Sequence, residues 1–132
     1  MDCLPLLASV LSNQYGVTVE IGVSEAYTDG KTIHLPALPL DSEPELITMI
    51  KGYCDHESAH IRETDFEILR KANLTPFQHN LFNILEDWRV EERLSARYPG
   101  CRENFRYLIQ KLFGTQKAGD TNPAFSILNT IL

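Results

Sequence analysis

Two histidines four residues apart, in the run His56-Glu57-Ser58-Ala59-His60, lie inside an unbroken helical pattern. From Glu43 to about Arg62 the residues Leu46, Ile47, Met49, Ile50 and Tyr53 recur at the spacing of one helix face, which predicts a core helix. Positions i and i+4 share a side of a helix, so both imidazoles point at one place. Neutral imidazole suits zinc, and Glu57, next to the first histidine, is placed to reach a metal-bound water without ligating the ion itself. A carboxylate there takes a proton from water and passes it to a leaving amine. Gly52 interrupts the apolar spacing of the same helix; an interior glycine costs about 1 kcal/mol against alanine and reads either as room for a close neighbour or as a weak point.

Two histidines do not complete a zinc site, and a pattern with three fixed positions also arises by chance on a helix surface. The third ligand is therefore the test. Three carboxylates qualify: Glu86, Asp87 and Asp65. Glu86 is preferred because His79, Asn83 and Glu86 form a polar stripe beside the apolar row Leu81, Leu85 and Trp88, widened by Phe82 and Ile84. A polar stripe turned toward the motif helix is costly unless it is used. Glu91 and Glu92 read as a solvated face. Asp87 or Asp65 is placed to orient a ligating histidine, Arg89 to hold a carboxylate, and Asn83 to fix helix pairing or substrate. His79 reads either as an oxyanion-stabilising acid or as an ordinary surface histidine. Tyr27 and Tyr53 are further hydroxyl donors without a specific signal.

The remaining chain is read as α+β. Leu4, Leu7, Val10 and Leu11 predict a first helix, Val17 to Ile21 a strand, and Thr32 to Leu35 a second strand after the turn signal Asp29-Gly30. A ribbon, or a small three-stranded sheet, thus precedes the motif. The strand around His34 reads either as an edge that aligns an extended peptide or as an interior strand. Ser42 with Glu45 predicts a capping box before Pro44. Thr75, Pro76 and Gln78 predict another, opening a helix to about Ser95, with Pro99-Gly100 as a stop. A last core helix is expected from Asn104 to Phe113, with Phe105, Leu108, Ile109 and Leu112 inward and Gly114 as its cap. Residues 114–132 read as a linker and a short apolar segment, whether a docking helix or the stub of a longer protein.

The 132 residues suit one domain, here 1–113. A net charge of -6 and the absence of a basic stripe argue against nucleic acid as partner. No apolar run approaches the roughly 20 residues of a membrane span, and the acidic start lacks the positive region of a signal peptide. Cys3, Cys54 and Cys101 are odd in number and scattered, which fits a reducing, cytoplasmic setting rather than a disulfide scaffold.

Three blocks in order, AYTDGKTIHLP (26–36), HESAH (56–60) and NILEDWRVE (83–91), resemble the zincin-like domain of bacterial and phage proteins related to the cobalt-chelatase CobT subunit. The resemblance covers residues 26 to 93. It implies a gluzincin-type zinc metallopeptidase acting on a peptide or protein substrate, with His56, His60 and Glu86 on Zn(2+) and Glu57 as general base. It also implies an AAA+ ATPase or a downstream von Willebrand factor A module as partner. The rival expectation is a non-catalytic, metal-stabilised interaction domain of such a larger protein. The metzincin pattern is excluded, since its glycine and third histidine would fall at Glu63 and Phe66. The aspartate common four residues after a gluzincin glutamate is Val90 here.

Overall fold

The computed structural model describes residues 3–37 and 43–113. The fold is α+β, as expected. Helix α1 (Leu4–Ser12) leads to strands β1 (Thr18–Val23), β2 (Tyr27–Thr28) and β3 (Thr32–Pro36). Four helices follow: α2 (Pro44–Glu63), α3 (Phe66–Lys71), α4 (Pro76–Arg97) and α5 (Pro99–Phe113). No described helix is long and apolar enough to cross a membrane.

The sheet order is β1-β3-β2, with β3 parallel to β1 and antiparallel to β2. The Asp29-Gly30 turn joins β2 to β3. Asp29 Oδ1 accepts from the Lys31 and Thr32 amides, and Gly30 adopts a left-handed φ of 98° that favours glycine. Alternation on β3 sends Ile33 and Leu35 into the core and leaves Thr32, His34 and Pro36 on the other face. The strand carrying His34 is thus interior, and the sheet edge beside the motif helix is β2.

Helix α2 is the shared wall of two apolar clusters. Its first half packs Ile50 and Cys54 against Leu4, Ala8, Val17, Ile33 and Leu35. Its second half contributes Ala59 to a cluster with Leu11, Val90, Leu94, Cys101 and Phe105. Gly52 has the close neighbour its sequence position suggested: a Cβ there would stand 3.2 Å from the Asn104 carbonyl oxygen and 3.3 Å from Leu108 Cβ. Asn104 also donates to the buried Asp55 at 2.7 Å, tying α5 to the back of α2. All three cysteines are free.

Several expectations change. Helix α2 starts after Glu43, which makes no side-chain cap, while Ser42 lies outside the described residues, as do Gly114 and the 114–132 segment. Leu7, Val10, Leu46, Ile47, Ile109 and Leu112 face outward to a substantial degree. Pro99 begins α5 rather than stopping the chain, because a first-turn proline gives up no helical hydrogen bond. The short α3 was not anticipated; Asp65 caps it by accepting from the Glu67 and Ile68 amides. On α4 the row Leu85 and Trp88 is about half exposed, and the inward face is Glu86, Val90, Leu94 and Ser95.

The capping box at Thr75 forms with both reciprocal bonds. Thr75→Ala should lower unfolding free energy by about 1 kcal/mol in a denaturant titration. An unchanged midpoint would show that this helix start carries no stability.

Candidate metal centre

Helices α2 and α4 run antiparallel through the site, and the same four-residue step repeats on both. His60 faces Asp87, and one turn back His56 faces Glu91. The donor atoms of His56, His60 and Asp87 fall within 4.8 Å of one another. His60 Nε2 lies 3.2 Å from His56 Nε2 and 3.0 Å from Asp87 Oδ1, and His56 Nε2 lies 3.7 Å from the same oxygen. An ion held tetrahedrally with bonds of about 2.0–2.1 Å separates its ligands by roughly 3.3 Å. The three separations bracket that value, and two imidazole nitrogens with a carboxylate oxygen are a donor set zinc accepts. The residues fit the group.

The other ring nitrogens are also engaged. His56 Nδ1 lies 2.7 Å from Glu91 Oε1, and His60 Nδ1 lies 2.9 Å from Thr64 Oγ1. Burial works against a charge on His56, but the Glu91 hydrogen bond and the Glu57, Asp87 and Glu91 carboxylates outweigh it and lift the imidazole to about 9. Burial raises the carboxyl of Glu57 above the usual range, opposed in part by His56 and His60. Glu57 is less than a tenth exposed.

Glu86 is placed differently from the sequence expectation. Its carboxylate accepts from Arg89 Nε at 2.9 Å, Arg89 Nη2 at 2.7 Å and Thr64 Oγ1 at 2.8 Å. The Arg89 hydrogen bonds hold it below the usual carboxylate range. Arg89 Nη2 also donates to the Glu63 carbonyl at 2.7 Å, clamping the end of α2 to α4. Asp87, the alternative third ligand, is the carboxylate that converges with the histidines. Asp65 is the cap of α3 and not a member of the cluster.

A cleft of about 440 Å³ opens over these groups. Helix α2 lends it His56, Glu57 and His60; α4 lends His79, Asn83 and Asp87; the edge strand lends Tyr27 and Thr28. Tyr53 packs instead against the core around Ile50. Sequence reasoning missed Glu91 and Thr64. Glu91 was read as solvated surface, yet it stands four residues after Asp87, as His60 stands four after His56 and Thr64 four after His60. That repeated step was the available signal.

No curated protein and no solved structure matches the chain at a significant level. One protein family does, over residues 2–122, and it is described as cobalamin biosynthesis protein CobT. With the match spanning nearly the whole sequence, the chain belongs to the CobT family.

Proposed function

We propose that this domain is a hydrolytic metal centre, with a divalent zinc-type ion held by His56, His60 and Asp87 and with Glu57 as the proton-carrying carboxylate. The observation that carries this reading is the convergence of two Nε2 atoms and one carboxylate oxygen at 3.0–3.7 Å in an open cleft that Glu57 also lines. An ion of this class supplies Lewis acidity, which acidifies water and polarises a carbonyl. Glu57 accepts the proton of the attacking water and returns it to the leaving amine; its burial keeps that carboxylate basic enough to do so. An extended peptide would pair with the backbone of β2, since that strand is at the sheet edge and borders the cleft. Asn83 and His79 on the α4 side line the same cleft and would meet the substrate there.

A second reading is favoured by the family match. In it, the same donors hold a metal ion in the course of cobalamin biosynthesis, and no bond is hydrolysed. The two readings make different demands on Glu57.

Protein purified without a metal-binding tag should carry about one zinc per chain. Elemental analysis should show that ion lost in His60→Ala and Asp87→Ala, while Glu86→Gln still fills when zinc is in excess. Zinc kept by Asp87→Ala and lost from Glu86→Gln would return the third ligand to Glu86. Glu57→Gln should keep the ion and cut a peptide library at least about 100-fold more slowly than wild type. Wild-type cleavage by that variant contradicts the hydrolytic mechanism. Cobalamin formation in cells that survives Glu57→Gln and fails with His60→Ala would favour the second reading.

A further inference from the structure

The hydrogen bonds around His60 have a forced direction. Glu86 accepts two N–H groups from one guanidinium, so it is a carboxylate with no proton to give. The Thr64 hydroxyl, 2.8 Å away, must therefore donate its single proton to Glu86 Oε1. Having spent that proton, Thr64 Oγ1 can only accept from His60 Nδ1 at 2.9 Å. His60 then carries a proton on Nδ1, which leaves Nε2, the nitrogen that faces His56 and Asp87, as the ring atom able to bind an ion. His56 reaches the same orientation by a shorter route, donating Nδ1–H directly to Glu91.

We propose that Arg89, Glu86 and Thr64 form a relay that fixes the tautomer of His60, making Glu86 a positioning residue that acts through Thr64 rather than a ligand. Resting on the metal-centre reading above, this assignment gives each histidine its own carboxylate, one direct and one relayed. The relay also explains why a glutamate on the inward face of α4 is buried beside the donors without joining them. Arg89 neutralises it, and its charge is used at one remove. Because Arg89 also binds the Glu63 carbonyl, the orientation of His60 is tied to the register of the two helices.

The test reads the tautomer directly, in metal-free protein, by two-bond proton–nitrogen correlation spectra of the His60 ring. Wild type and Thr64→Ser should show the proton on Nδ1. Thr64→Val, which keeps the shape and removes the hydroxyl, should lose that preference. Glu86→Gln should lose it too, because the amide can donate to Thr64 and free the hydroxyl to point at His60. Zinc affinity, measured with zinc alone by competition against a chelator, should fall about 10- to 100-fold in Thr64→Val and recover in Thr64→Ser. An Nδ1–H tautomer and wild-type affinity persisting in both Thr64→Val and Glu86→Gln would overturn the relay. Failure of the wild type to bind zinc would instead overturn the metal reading beneath it, whatever the spectra show.

Discussion

The site depends on one constraint: two antiparallel helices must keep a register in which a four-residue step on α2 meets a four-residue step on α4. One turn of helix advances about 5.4 Å, so residues four apart present the same face at nearly that interval. His60 meets Asp87, and a turn away His56 meets Glu91. A change of one residue in either helix would rotate these groups by about 100° and separate them. Arg89 fixes the register at the end of α2, where it grips the Glu63 carbonyl and the Glu86 carboxylate together.

The rest of the fold holds that pair in place. Close approach at Gly52 and the Asn104–Asp55 hydrogen bond lock α5 onto one side of α2. Ile33 and Leu35 pack the inner face of the sheet against its first half. The sheet in turn leaves its two-residue edge strand beside the cleft. The polar face of α4 is affordable because its inward carboxylates each find a partner, Arg89 and Thr64 for Glu86 and the histidines for Asp87 and Glu91.

Much of this was legible in the sequence. The motif helix, the capped α4, the hairpin turn and the α+β class followed from periodicity and cap residues, and the blocks around His56 and Glu86 pointed to the family. The failures are physical as well. Leu85 and Trp88 looked like a core row because apolar residues usually face inward, but α4 is oriented by its carboxylates and turns those side chains partly to solvent. Glu86 and Asp87 are adjacent in the chain, and the three-residue step from Glu86 to Arg89, a spacing that meets on a helix where two residues do not, was the overlooked sign that the arginine holds Glu86. Thr64 and Glu91 carried the four-residue step in the sequence, but only the register of the two helices shows what each of them meets.

The most direct test of the account is anomalous diffraction at the zinc edge from crystals of the zinc-loaded protein. The predicted result is one strong peak bonded to His56 Nε2, His60 Nε2 and Asp87 Oδ1, with Glu86 still held by Arg89 and Thr64. A peak bonded to Glu86 in place of Asp87, or none between the two histidines, would contradict it.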